Sequence, residues 1–121
     1  MGFFKWLFGS EDEGLTLEQA AEVQAAILAQ IGETDDRTTK INLAAQLLVG
    51  RHFEGAIQAY ESIARDYPDE QATAQSQIGA AKYFLGRYEE AIGHYESARE
   101  LGADPDMMQD NIDEAREALA S

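Results

Sequence analysis

The sequence predicts an all-α protein, folded as a short right-handed α-solenoid of helix-turn-helix repeats with a C-terminal capping helix. The first observation is an internal repeat, since a shift of 35 residues aligns FEGAIQAYES (53–62) with YEEAIGHYES (88–97). The second is that apolar residues recur at helical spacing along most of the chain. The third is that glycine or proline stands where these stripes stop. Together these observations predict five main helices and no sheet.

The first helix is predicted to run from Leu17 to about Ile31. Thr16 followed by Gln19 is a capping-box pattern, in which each side chain accepts a hydrogen bond from the other residue's backbone amide. Gly32 is expected to close this helix. The repeat period aligns the helix with the second helix of the following unit, so we expect it to complete a degenerate preceding unit. The alternative is a free amphipathic helix.

Two repeated units, at about residues 37–71 and 72–106, each show the pattern of two helices joined by a short glycine-containing turn. Apolar residues at helical spacing form one stripe before the turn and a second stripe after it. The second stripe begins with Phe53 in one unit and with Tyr88 in the other. Pro68 ends the first unit, because proline lacks the amide hydrogen that a helix interior needs. The sequence therefore predicts two consecutive helical hairpins.

A last helix, at about residues 105–120, is predicted to cap the stack. Asp104 is a favourable N-cap residue, and Pro105 stands at the first helical position, where the missing amide has no helical partner to lose. Four apolar residues share one face of this helix: Met108, Ile112, Ala115 and Leu119. A terminal helix with one apolar face is what shields the last unit of a helical repeat protein.

The two units share an ordered pattern of residue types. A large apolar residue is followed by a small one, an aromatic residue stands after the turn, and alanine and a second aromatic residue follow. The residues are Leu43, Ala44, Phe53, Ala56, Tyr60 and Pro68 in the first unit, and Ile78, Gly79, Tyr88, Ala91, Tyr95 and Ala98 in the second. This pattern resembles the tetratricopeptide repeat, a helix-turn-helix unit of about 34 residues. The resemblance covers about residues 37–103.

The resemblance implies how the helices pack, but the sequence departs from the family pattern at three places. The small residues Ala44, Ala56, Gly79 and Ala91 are expected to let paired helices approach closely. The early tryptophan of the family is absent, and Lys82 stands at a usually aromatic place. The proline that closes a unit arrives two residues late in the second one.

Composition and charge exclude several classes of function. The formal net charge is −14, divided as −7 over residues 1–36, −2 over residues 37–103 and −5 over residues 104–121. A nucleic-acid-binding protein needs a basic stripe to displace counterions from phosphates, and the sequence has none. The absence of cysteine excludes disulfides and thiolate chemistry. No apolar stretch approaches the roughly 20 residues of a membrane-spanning helix, so we expect a cytoplasmic protein.

An enzymatic function is not expected. The two histidines, His52 in a turn and His94 in a helix, lie far apart in the sequence and are expected at the surface. The sequence has no glycine-rich phosphate loop, no metal-ligand spacing and no nucleophile motif. We therefore expect no catalytic residue, no metal site and no cofactor.

The resemblance implies a protein–protein interaction module of the scaffold or adaptor kind. In this family the first helix of each unit lines a concave groove, which here would consist of Thr38, Ile41, Ala45, Leu48, Val49, Thr73, Ser76, Ala80, Tyr83 and Phe84. Such an apolar groove in an acidic body favours a basic or amphipathic peptide, or a helix, of a partner whose identity the sequence does not give. The alternative is that Ile41, Leu48 and Phe84 belong to the core.

The N-terminal segment, residues 1–15, is apolar and then acidic, and it precedes a single domain at residues 16–121. Its apolar side chains, which need a partner, are Phe3, Phe4, Trp6, Leu7 and Phe8. The candidates are this protein's own fold, another copy in a homo-oligomer, or a membrane surface reached through residues 1–9. Docking on protein is favoured, because Lys5 is the single basic residue here and acidic residues follow it. The alternative function is a membrane-tethered adaptor that uses this segment as a peripheral anchor.

Overall fold

The computed structural model describes residues 15–121. These residues form six α-helices: α1 (Leu17–Glu33), α2 (Arg37–Val49), α3 (Phe53–Asp66), α4 (Gln71–Phe84), α5 (Tyr88–Glu100) and α6 (Pro105–Ala120). A short 3-10 turn, Pro68–Glu70, precedes α4. The described part of the chain contains no strand, so the all-α class is confirmed. The predicted total of five main helices is one too low, because the first helix, the four helices of the two hairpins and the capping helix all form, each with 13 to 17 residues.

Side-chain caps begin three of the helices, two of them at the predicted cap residues Thr16 and Asp104. At the start of α1, the backbone amides of Thr16 and Gln19 each donate a hydrogen bond to the other residue's side-chain oxygen, and both donor–acceptor distances are 3.0 Å. Asp36 caps α2, and Asp104 caps α6. The predicted end of α1 at Gly32 is wrong, since the helix continues for one more residue. A glycine costs a helix interior only about 1 kcal/mol, so one glycine does not by itself end a helix.

Consecutive helices pack against one another in chain order, from α1 to α6. The first helix also contacts α3, so it covers the outer side of the α2–α3 pair. Each helix thus buries one face against its sequence neighbours, which is the arrangement of an all-α helical repeat protein. The handedness of the stack remains a prediction.

Small residues bring the paired helices close together, as the pattern predicts. Ala44, Ala56 and Ala91 are all 0% exposed. A Cβ atom on Gly79 would lie 2.8 Å from two ring carbons of Tyr95, which is closer than packed carbon atoms come. The approach of α4 to α5 therefore depends on the absence of a side chain at residue 79.

The buried residues form two clusters. The larger one draws on α1, α2, α3 and α4 and includes Leu47 and Ile78. The smaller one joins α5 to the capping helix, and consists of Ala91, Tyr95, Ala98, Met108 and Ile112. Of the four residues predicted for the apolar face of α6, Leu119 is the exception, because it lies near the helix end and is 48% exposed. The capping helix covers the last unit mainly through its first half.

Candidate partner-binding surfaces

All ten predicted groove residues remain accessible to solvent. Four are exposed (Thr38, Val49, Thr73 and Phe84) and six are half-buried (Ile41, Ala45, Leu48, Ser76, Ala80 and Tyr83). The buried residues of the same two helices occupy other positions: Leu43, Ala44 and Leu47 in α2, and Ala74, Ile78, Gly79 and Ala81 in α4. Each of these helices therefore has one face in the core and another that a partner could reach.

The alternative that three groove residues belong to the core holds only in part. Ile41 and Leu48 are half-buried and pack against the larger cluster. Phe84 is 56% exposed, so its assignment to the core is wrong. It lies at the end of α4, where its ring stacks on that of Phe53 with 5.3 Å between the ring centroids.

Tyr83 lies at the end of the groove nearest the capping helix. It packs against the smaller cluster, and its ring meets that of Tyr88 edge to face at 5.3 Å. Partial desolvation raises the pKa of the Tyr83 hydroxyl, and the carboxylates of Glu114 and Glu117 on α6 raise it further. Acidic side chains of the capping helix thus act on the groove at Tyr83. Leu48, the residue matched to Tyr83 by the repeat period, packs against the other cluster.

A second surface lies at the edge of the stack, where the turn between α2 and α3 meets the end of α4. We call Arg51, Phe53 and Phe84 the edge patch. The Arg51 guanidinium carbon lies 5.5 Å from the centroid of the Phe53 ring, whose other neighbour is the exposed ring of Phe84. The patch therefore combines a cation with two stacked aromatic rings.

Arg51 has an unusual backbone conformation. Its φ angle is +67°, and it is the one non-glycine residue with positive φ in the described part of the chain. In the second unit the equivalent residue is Gly86, with φ of +80°. The left-handed region costs a residue with a Cβ atom about 1–2 kcal/mol, and glycine avoids this cost. The sequence pattern did not indicate a binding role for Arg51 or Phe53, although the alignment of Arg51 with Gly86 was a signal for this site.

An open depression of about 250 Å³ adjoins the edge patch. Its walls include Ala20, Ala21 and Gln24 of α1, together with Arg51 and Phe53. The Gln24 side-chain oxygen accepts a hydrogen bond of 2.9 Å from the backbone amide of Gly55, which fixes α1 against the start of α3. The depression therefore lies between the first half of α1 and the turn that carries Arg51.

Charge at this edge differs from that of the whole protein. Glu54 also lines the depression, and its carboxylate pairs with Arg87 at 2.7 Å. Arg51 takes part in none of the ion pairs formed within residues 15–121. In a protein of net charge −14, the aromatic edge thus carries a cation that no carboxylate of residues 15–121 pairs.

The two histidines are partly exposed, in agreement with the expectation that they lie at the surface. His52 lines the depression, and partial burial lowers the pKa of its imidazole. His94 is half-buried, and its Nδ1 atom lies 2.7 Å from the side-chain oxygen of Gln75. Within residues 15–121, no three carboxylate or imidazole groups lie close enough together to hold a metal ion.

We expect Arg51→Gly to unfold at higher urea concentration than Arg51→Ala. Both variants remove the guanidinium group, but alanine keeps a Cβ atom at positive φ and glycine does not. The difference in the free energy of unfolding should be about 1 kcal/mol in favour of glycine. Equal stability of the two variants would show that the turn relaxes to negative φ when the arginine side chain is removed.

Comparisons with known proteins add no assignment: no protein-family model matches the chain, and no curated protein matches it. Among residues 15–121, no helix combines the length and the apolar character needed to cross a membrane. The predicted N-terminal docking residues, Phe3, Phe4, Trp6, Leu7 and Phe8, lie outside the described residues.

Proposed function

We propose that the protein is a tetratricopeptide-type interaction module whose groove, formed by α2 and α4, binds a basic amphipathic segment of a partner protein. One observation carries this proposal: none of the ten groove residues is buried, while other residues of the same helices form the core. A face that keeps apolar side chains accessible on α2 and α4, the first helices of the two units, is suited to receive the apolar side of a helix or peptide.

Charge favours a basic partner. Glu114 and Glu117 of α6 act on Tyr83 at one end of the groove, and the chain as a whole carries a net charge of −14. Carboxylates at one end of an apolar surface favour a segment that has lysine or arginine on its polar face, and they disfavour acidic segments. Complementary charge of this kind raises the association rate and selects among partners more than it adds affinity.

The groove is suited to binding more than to catalysis. Its ten side chains supply methyl groups, aromatic rings and hydroxyls, and they include no carboxylate, imidazole or amine. General acid–base catalysis at neutral pH relies mostly on those three groups. We therefore propose a scaffold or adaptor role that needs no cofactor.

The test uses a fluorescent amphipathic helical peptide with a lysine-rich polar face, and a matched peptide with glutamate in place of lysine. The intact chain should bind the basic peptide and not the acidic one. The double variant Leu48→Ala, Tyr83→Ala should bind it at least about tenfold more weakly, because buried anchors supply most of the affinity of such an interface. Fluorescence polarisation measures the affinity, and circular dichroism verifies that helicity is kept.

The control variant is Leu101→Ala, which removes a 49% exposed apolar side chain from the turn after α5. It should bind the basic peptide as the intact chain does.

The double variant Glu114→Gln, Glu117→Gln should weaken binding of the basic peptide mainly at low salt, since screening already suppresses the contribution of exposed charges at high salt. Equal binding of both peptides, or full affinity of the Leu48, Tyr83 double variant, would contradict the proposed groove.

A further inference from the structure

The edge patch has the composition of a docking site, and it shares one residue, Phe84, with the proposed groove. Phe84 exposes more than half of its surface, although it stacks on Phe53. Exposed aromatic surface beside an open depression is typical of a place where another apolar group binds. Arg51 adds a cation that no carboxylate among residues 15–121 neutralises.

The backbone of Arg51 is a second, independent observation. The second unit has Gly86 at the equivalent turn, where positive φ is free of strain. The first unit has an arginine there, with its guanidinium group over the Phe53 ring. Residues held in an unfavourable backbone region concentrate at functional sites, because the surrounding structure must maintain them.

The start of α1 places the N-terminal part of the chain beside this patch. Ala20 and Ala21 line the depression, and Ala20 lies only three residues after Leu17, the first residue of α1, a rise of about 4.5 Å along the helix. Residues 9–14 can span up to about 20 Å when extended. The chain before α1 is therefore long enough to reach the depression and to continue across Phe53 to Phe84.

In the N-terminal part of the chain, acidic and aromatic residues follow one another in the same order as the cation and the aromatic rings of the edge patch. Counting back from Leu15, the acidic run Glu11 to Glu13 comes first, and residues 3–8, four of which are aromatic, follow. Along the patch, Arg51 lines the depression beside α1 and contacts Phe53, which stacks on Phe84. Negative charge is thus brought to the cation and aromatic side chains to the exposed rings.

We infer that the N-terminal segment of this chain docks in cis on the edge patch, with Glu11 to Glu13 beside Arg51 and the aromatic side chains of residues 3–8 against Phe53 and Phe84. The docked segment covers the outer end of the stack next to α1 together with one of the ten groove residues, Phe84, and it leaves the other nine groove residues open. The rest of the edge patch lies outside the proposed peptide groove, and the inference does not depend on peptide binding there.

Trp6 is the single tryptophan of the chain, so intrinsic fluorescence reports directly on this segment. In the intact folded chain, Trp6 should emit at shorter wavelength and be quenched less by acrylamide than in the urea-unfolded chain. Phe84→Ser and Arg51→Glu should each shift the emission and the quenching toward the unfolded values. The controls Leu119→Ser and Arg116→Glu change an exposed apolar and an exposed basic residue of α6. They should leave the fluorescence unchanged.

Charge exchange tests the pairing. Combining Arg51→Glu with Glu11→Lys, Asp12→Lys and Glu13→Lys should restore the emission of the intact chain, while the three lysine substitutions alone should shift it toward the unfolded value. Sedimentation over a range of protein concentrations, run beside the fluorescence, separates docking in cis from association. The expected result is a Trp6 emission wavelength that does not change with protein concentration over the range in which sedimentation shows a monomer.

Four results would overturn the inference. Trp6 fluorescence equal to that of the unfolded chain would show that the segment does not dock. If Trp6 is protected from acrylamide only when the chain dimerises, the segment docks on a second copy. If Trp6 is protected only when anionic phospholipid vesicles are present, the segment binds a membrane. A loss of protection in Leu48→Ser, Tyr83→Ser but not in Phe84→Ser would place the segment in the groove.

Discussion

Ile112→Ala is expected to lower the free energy of unfolding by about 2–5 kcal/mol. Ile112 is 1% exposed, and it forms the contact between α6 and α5 together with Met108. Truncation to alanine removes most of the buried side chain and leaves a cavity that the short helix pair can close only partly. Urea denaturation followed by circular dichroism measures the loss.

Leu119→Ala is the matched control for this prediction. It removes an equally large aliphatic side chain from the same helix, but Leu119 is 48% exposed. Its cost should stay below about 1 kcal/mol, as for most partly exposed positions. Equal losses for the two variants would contradict the finding that α6 caps the stack through its first half. An Ile112→Ala loss below about 1 kcal/mol would show that the cap contributes little stability.

Much of this fold can be predicted from the sequence because the decisive signals are local. Thr16, Asp36 and Asp104 cap helices through hydrogen bonds to residues three positions on, so the sequence alone predicts those helix starts. The last residue of α1 and the exposure of Leu119 were not predicted correctly, because both depend on how far a neighbouring helix extends. That information is tertiary, and the pattern of a single helix does not contain it.

The choice of groove residues came from the resemblance, which assigns positions on the first helix of each unit to the groove. Apolar periodicity alone places Ile41 and Leu48 in one stripe with the buried Leu43 and Leu47, so it does not separate the two sets. Periodicity does not say which neighbour a terminal side chain turns toward. Phe84 stacks on Phe53 at the edge of the stack, whereas the adjacent Tyr83 packs toward the capping helix. The edge patch therefore became apparent only in three dimensions.

Gly79→Ala and Gly93→Ala are expected to change stability in opposite directions. Both glycines lie inside helices, where alanine is favoured over glycine by about 0.5–1 kcal/mol. A Cβ atom at residue 93 meets nothing within 4 Å, so Gly93→Ala should gain that amount. At residue 79 the same atom would lie 2.8 Å from the Tyr95 ring, which is 4% exposed and has little room to move.

The overlap at Gly79 should cost about 1–3 kcal/mol, as overpacking of a dense core does, and this exceeds the gain in helix propensity. The Gly79→Ala variant should therefore unfold at lower urea concentration than the unmodified chain, and Gly93→Ala at higher. A spectroscopic readout accompanies the stability change. Burial, with smaller effects from Glu114 and Tyr83, raises the pKa of the Tyr95 hydroxyl to about 12, and displacement of the ring should lower that pKa toward the ordinary 10.0.

A double variant identifies the clash as the cause. The closest atoms are ring carbons Cδ1 and Cε1 of Tyr95, so Tyr95→Phe should leave the cost of Gly79→Ala unchanged. Tyr95→Leu removes the planar ring, and in that background Gly79→Ala should cost less than it does in the unmodified chain. This difference is a coupling free energy between the two positions, which a double-mutant cycle measures from four unfolding curves. Additive effects of Gly79→Ala and Tyr95→Leu would show that the α4–α5 spacing does not depend on contact between these two residues.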